Sequence, residues 1–172
     1  KARRSLTDFA EVTVGMTREI GIRKDGAWGK KLVELRNRAA MQMERIHERA
    51  RKVFEPFLAE PRSGRRARIH PVPGLDTSEF AEALALATFL RETAADASRA
   101  AVGGAHQQLI TDLKRRLDEL GHQLLHQARG EDETQAETAR ERLEGVARLM
   151  TALGEGEAAA VLLRRGAAAK AA

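Results

Sequence analysis

The clearest pattern in the chain is a helical repeat of apolar residues between Trp28 and Phe54. Apolar residues recur there at steps of three and four, which is the spacing of one face of an α-helix. They are Trp28, Leu32, Leu35, Ala39, Met43, Ile46, Ala50 and Val53. Pro56 is expected to end this second helix near Glu55 or to kink it, because proline has no amide hydrogen to donate.

A third helix should begin at Asp76, which forms a capping box with Glu79. Leu75 and Phe80 flank that box as a hydrophobic staple, and the helix should reach about Val102. The Gly-rich break at 103–104 then precedes a fourth helix over about 105–128, with the seam Ile110, Leu113, Leu117, Leu120 and Leu124.

A fifth helix is expected to open with a capping box at Thr134 and to end with Gly154 at its C′ position. Two short helices complete the prediction, one over about 6–20 and one over about 157–165. Residues 1–4 are expected to be frayed, and residues 166–172 are expected to form a disordered tail.

Composition changes this picture only in favour of helices. Aromatic residues make up 3% of the 172 residues, whereas a β-sandwich relies on aromatic and β-branched residues. We therefore predict an all-α bundle of about four major helices and two short ones, in a single domain over 1–172. A basic loop rich in Pro, Gly and Arg, over 60–75, separates the second and third helices.

No catalytic chemistry is visible in the sequence. Cysteine is absent, which excludes disulfides, thiolate catalysis and Cys-ligated zinc. The segment 26–31 lacks the spacing of a phosphate-binding loop, and no nucleophile has the context of a catalytic triad. The sequence therefore predicts a non-enzyme without a cofactor. No apolar run approaches the roughly 20 residues that a membrane span needs, so no membrane association is expected.

Two Glu-x-x-His pairs have the spacing found in di-iron helical bundles, Glu44 with His47 and Glu119 with His122. Both residues of the second pair, however, lie far around the helix from the leucine seam of the fourth helix. His122 and His126 also share one helical face, as a metal clamp would require, but no third ligand accompanies them. No metal ligand is therefore assigned, and a metal-binding bundle remains the second alternative.

The chain carries a formal charge of +5, which raises the alternative of a nucleic-acid or other polyanion partner. The candidate residues are in the basic N-terminus and in the linker: Lys1, Arg3, Arg4, Arg62, Arg65, Arg66 and Arg68. These segments have no interleaved aromatic residues for base stacking, and no recognition helix is visible. Nucleic-acid binding is therefore not favoured.

The favoured hypothesis is a non-catalytic, cytoplasmic protein-interaction module, which acts as a scaffold, adaptor or assembly subunit. A second helix of about 40 Å needs cover along its whole apolar stripe, from a partner or from a second copy of the chain. Met43 and Phe54 lie toward one edge of that stripe and are the candidate contacts. Trp28 is expected to anchor the preceding turn in the core, and an exposed Trp28 that binds a partner is the alternative.

Overall fold

The computed structural model describes residues 2–19, 26–59, 72–99 and 102–168. Those ranges contain no strand, and helices account for 88% of them, which confirms the predicted all-α class. None of these helices is both long and apolar enough to cross a membrane. In chain order the helices are α1 (Ala2–Glu19), α2 (Ala27–Leu58), α3 (Ser78–Arg99), α4 (Gly103–Gln127), α5 (Glu133–Ala152) and α6 (Gly156–Ala168).

Both ends of the described chain are more helical than the sequence predicted. α1 already begins at Ala2, so the expected fraying is wrong for residues 2–4. α6 continues to Ala168, and residues 166–168 therefore do not belong to a disordered tail. Gly166 explains this extension, because it is buried and lies directly against Leu143 of α5. Residues 169–172 lie outside the described part of the chain.

α2 continues through Pro56 and ends at Leu58, so the predicted end near Glu55 is wrong. Proline removes one backbone hydrogen bond, but here the loss falls in the final turn of the helix, where few bonds depend on it. Phe57 and Leu58 are both buried and compensate for that loss. Arg142 of α5 then donates a hydrogen bond of 2.8 Å from Nη2 to the carbonyl oxygen of Ala59, just beyond the helix.

The N-cap of α3 is Thr77, one residue after the predicted Asp76. The hydroxyl oxygen of Thr77 accepts a hydrogen bond of 3.3 Å from the backbone N–H of Phe80, and the same hydroxyl donates to the carbonyl oxygen of Gly74 at 2.7 Å. Thr77 thus ties the preceding turn to the first turn of the helix, which a carboxylate cannot do because it has no proton to donate.

α5 and α6 are joined by a tight turn with a predicted glycine. Gly154 has φ of 95°, in the left-handed region that favours glycine, which confirms its predicted C′ position. The N–H of Gly154 bonds to the carbonyl of Thr151, and the N–H of Glu155 to that of Met150, which is the Schellman pattern. The N-cap of α5 is Asp132 rather than Thr134.

The chain divides into two compact units. Unit 1 comprises Lys1–Arg49 with Phe89–Ile110, and unit 2 comprises Ala50–Thr88 with Thr111–Ala172. The single domain that the chain length predicts stays a prediction.

Unit 1 combines a small apolar cluster with buried polar contacts. Met43 of α2 is buried, and the half-buried residues Phe9, Ile46, Phe89 and Val102 pack against it. The Thr7 hydroxyl of α1 donates a hydrogen bond of 2.6 Å to the largely buried carboxylate of Asp96 on α3. A buried histidine pair, described below, connects α2 with α4.

Unit 2 has the leucine-rich core. The predicted seam of α4 is buried along its length, at Ile110, Leu113, Leu117, Leu120 and Leu124, of which the last four lie in this unit. Phe57 meets Phe80 edge to face, with ring centroids 5.6 Å apart. Gly121 and Gly145 are buried where a Cβ atom would come within 2.9 Å of Leu162 and of Leu75 respectively. These glycines allow side chains of neighbouring segments to approach the helix backbone closely.

Candidate protein-interaction surface

The first half of α2 exposes large apolar side chains that its periodicity assigned to the core. Trp28 is 69% exposed and Leu35 is 39% exposed. The expectation that Trp28 anchors the turn in the core is therefore wrong. The structure shows Trp28 exposed, and its binding to a partner stays a prediction. The small Gly29 is the buried residue at this point of the helix.

Trp28 and Leu35 lie on the same side of α2. They are seven residues apart, which is two turns of helix, so their side chains leave the axis within about 20° of each other. The half-buried Ala39 continues this line by one more turn. We name Trp28, Leu35 and Ala39 the α2 seam.

In the described part of the chain, the other exposed large apolar residues do not form such a line, and Val12 is the one such residue on α1. Val33 and Met41 are also exposed, but each lies about 140° around α2 from Trp28. On α6, Val161 and Leu163 are exposed, but they are two residues apart and point to different sides of that helix. Scattered apolar residues of this kind are normal on a protein surface, whereas a continuous line suggests a contact.

A row of basic residues runs beside the α2 seam. Lys31, Arg38 and Arg45 are exposed, and each follows the last by seven residues. Lys31 lies about 60° around the helix from Trp28, and Arg38 lies at a similar angle from Leu35. We name these three residues the basic row.

Glu34 is the acidic residue between the first two members of the basic row. Its carboxylate lies 3.1 Å from Lys31 Nζ and 2.7 Å from Arg38 Nη2. The hydrogen bond from Lys31, together with the positive charges of Lys31 and Arg38, lowers the pKa of Glu34. All three side chains are about half exposed, so these ion pairs are readily exchanged for pairs with another molecule.

The predicted contact residues Met43 and Phe54 do not belong to this surface. Met43 is 3% exposed and Phe54 is 0% exposed, so the expectation that they lie at an uncovered edge of α2 is wrong. Helical phase explains the error, because Leu32, Met43 and Phe54 share the side of α2 that its own chain covers. The uncovered side is displaced from it toward Trp28 and Leu35.

The residues predicted to bind polyanions lie mostly outside the described part of the chain. This is true of Arg62, Arg65, Arg66 and Arg68, and of Lys1. Arg3 is part of α1, although its side chain is not described, and Arg4 is exposed on the same helix. Polyanion binding through these residues stays a prediction.

The histidines of the Glu-x-x-His pairs have opposite environments. His122 is exposed, and its Nδ1 lies 2.9 Å from the carbonyl oxygen of Asp118. His47 is buried, whereas its predicted companion Glu44 is exposed. Across the described ranges, no three His, Asp or Glu side chains are grouped so that they could hold a metal ion.

His47 instead forms a buried pair with a residue that the sequence did not single out. His47 Nε2 lies 2.9 Å from Nδ1 of His106, and His106 Nε2 lies 2.7 Å from the carbonyl oxygen of Leu90. Because a carbonyl only accepts hydrogen bonds, His106 Nε2 carries a proton and donates it to Leu90. In the neutral ring Nδ1 is then an acceptor, so His47 Nε2–H donates to it.

This chain of hydrogen bonds is structural. It connects α2 through α4 to the backbone of α3, and both rings are at least nine-tenths buried. Its members are 59 and 16 residues apart along the chain, so no local spacing indicates the pairing. The basic row was not singled out from the sequence either, although its seven-residue spacing beside the apolar repeat is visible there.

In comparisons with known proteins, no family model, no curated protein and no solved structure matches this chain.

Proposed function

We propose that this protein is a non-catalytic interaction module that binds another protein through the first half of α2. The observation that carries the proposal is the exposed apolar line formed by Trp28 and Leu35 on one side of α2. The other exposed large apolar residues of that helix, Val33 and Met41, lie apart from this line. Trp is among the residues that contribute most to binding when they are enclosed by a partner.

The energetics support the use of this surface. Full burial of a large apolar side chain stabilises a complex by roughly 1.5–3 kcal/mol relative to leaving it in water. A tryptophan alone buries about 150–250 Å². Trp28 and Leu35 are held on a regular helix, so the backbone loses little conformational entropy when a partner covers these two side chains.

The other functions considered for this sequence have less support. Within the described ranges, no three His, Asp or Glu side chains are grouped as a metal site would require. A polyanion partner would contact the basic row, and a nucleic acid would stack a base on Trp28, but Leu35 and Ala39 of the α2 seam would stay uncovered. A cytoplasmic location stays a prediction.

The test is a comparison of binding partners retained from an extract of the native cell by three immobilised proteins. The first is the wild type, and the second carries Trp28→Ala and Leu35→Ala. The third is a control with Val161→Ala and Leu163→Ala, which removes exposed apolar side chains from α6 instead. We expect a protein that the wild type and the control retain equally and that the α2 variant loses. Retention of the same proteins by all three would contradict the proposal.

A further inference from the structure

The basic row decides what kind of helix fits beside the α2 seam. When two helices pack side by side, the residues that flank the apolar seam face each other and form interhelical ion pairs. Lys31, Arg38 and Arg45 occupy the same flank on three successive heptads. A helix packed against Trp28 and Leu35 therefore meets three positive charges on that side, with Glu34 as the acidic residue between two of them.

A second copy of this helix does not supply the complementary charges. In a parallel pair, the basic row faces the other flank of the seam, which holds Arg36 and the buried residues Met43 and Ala50. In an antiparallel pair, the basic row faces itself, and like charges repel. Neither arrangement places a carboxylate opposite Lys31, Arg38 or Arg45.

An anionic polymer or membrane surface also fits this side of α2 poorly. The α2 seam is narrow, since Val33 and Met41 lie on other sides of the helix, whereas a helix that binds a membrane surface presents a broad apolar face. A nucleic acid would place phosphates against Lys31 and Arg38 and would stack a base on Trp28, but it would leave Leu35 and Ala39 uncovered. A helix with its own apolar stripe satisfies both features.

We propose that the α2 seam binds an acidic amphipathic helix of another protein, with carboxylates of that helix facing Lys31, Arg38 and Arg45. This inference rests on the proposed function and names its partner class. The surface from Trp28 to Arg45 covers 18 residues, or about 26 Å of helix, so the partner segment needs a similar length. Its carboxylates replace or share the two ion pairs of Glu34.

The sequence provides a direct probe of this binding. Trp28 is the one tryptophan of the chain, which also has no tyrosine, so its emission reports on the α2 seam alone. Three helical peptides with the same leucine stripe and without tryptophan are titrated into the full chain. Their flanking positions carry glutamate, glutamine or lysine. An unrelated single-stranded oligonucleotide, anionic vesicles and the concentrated protein alone complete the set.

We expect the glutamate peptide to shift the emission of Trp28 to shorter wavelengths and to protect it from acrylamide quenching. The glutamine peptide should bind roughly tenfold more weakly and the lysine peptide more weakly still, because exposed ion pairs each contribute modestly. Equal binding of all three peptides would overturn the acidic partner while leaving the interaction surface intact. The same emission shift with the oligonucleotide, the vesicles or the protein alone would also overturn it.

If no peptide binds, the acidic helix is ruled out, and the comparison of retained native partners decides separately whether the proposed function stands. A matched pair of variants tests the charges. Arg38→Glu with Arg45→Glu reverses two members of the basic row, whereas Lys30→Glu with Arg51→Glu makes the same change in net charge on the far side of α2.

The first variant should bind the glutamate peptide more weakly than the wild type does, by roughly tenfold or more, because the new glutamates repel the carboxylates of that peptide. The same variant should bind the lysine peptide more tightly than the wild type does. The second should bind like the wild type. Circular dichroism and the thermal midpoint confirm that each variant is folded. An equal loss of affinity in both variants would show that only the net charge matters and would overturn the proposal.

Discussion

Nε2 of His47 lies 2.9 Å from Nδ1 of His106, in a pair of rings that is almost completely buried within unit 1. Nε2 of His106 in turn donates a hydrogen bond to the carbonyl oxygen of Leu90. The two histidines are thus a polar connection between three helices, and each depends on the other for a hydrogen bond inside an apolar environment.

His106→Leu should lower the free energy of unfolding by about 1–3 kcal/mol, because it leaves the buried His47 Nε2–H without its acceptor. Urea denaturation followed by circular dichroism measures this change. The double change His47→Leu with His106→Leu should cost less than the sum of the single changes, since it leaves neither ring unpaired. His122→Leu, at an exposed histidine of the same helix, is the control and should change stability by less than about 0.5 kcal/mol. Additive effects of the two buried substitutions would contradict the pairing.

Adjacent glycines at the start of α4 provide a second prediction. A Cβ atom at Gly103 would lie 2.7 Å from the Cα atom of Ser98, a backbone atom that cannot move aside. At Gly104 a Cβ atom would meet no atom within 4 Å. Gly103→Ala should therefore destabilise the protein by about 1–3 kcal/mol, whereas Gly104→Ala should be neutral or stabilise it by up to about 1 kcal/mol. Thermal unfolding of the two variants compares them directly, and similar midpoints would refute the close approach.

Arg142 is expected to contribute to stability through one backbone contact. Its burial lowers the pKa of the guanidinium, because desolvation disfavours the charged form. The hydrogen bond to the carbonyl oxygen of Ala59 offsets part of this cost. Arg142→Met keeps the apolar stem but removes the donor, and it should lower the free energy of unfolding by about 1–2 kcal/mol. Arg115→Met is the matched control. Arg115 bonds to Asp112 and Glu119 in solvent, and its loss should leave the unfolding midpoint nearly unchanged. Equal effects of the two substitutions would contradict this assignment.

The sequence predicted the helices well but not the surfaces that they bury. Steps of three and four show which residues of α2 share a face, because helical geometry is local. They do not show which part of that face the rest of the chain covers, because coverage depends on residues distant in sequence. Trp28 and Met43 were therefore assigned to the wrong environments, one to the core and one to an exposed edge.

The same limit applies to polar contacts. The predicted N-cap of α3, Asp76, lies one position before the observed N-cap, Thr77. Both residue types are good N-caps, and only the hydrogen bond of Thr77 to the turn at Gly74 decides between them. The pairing of His47 with His106 joins helices that are far apart in the chain. The sequence indicated that glycines can interrupt helices. It did not indicate that side chains of distant segments pack against Gly121 and Gly145 inside their helices.

Trp28 is exposed on the surface of the isolated protein, and we propose that a partner covers it. Because Trp28 is the one tryptophan, incorporation of 5-fluorotryptophan gives a single fluorine NMR resonance that remains identifiable in an unlabelled extract of the native cell. In the isolated protein this resonance should shift between H₂O and D₂O, as an exposed indole does. In the extract it should broaden or move and lose that solvent sensitivity, and Leu35→Glu should prevent the change. A resonance that is insensitive to solvent in the isolated protein, or that stays unchanged in the extract, would contradict the account.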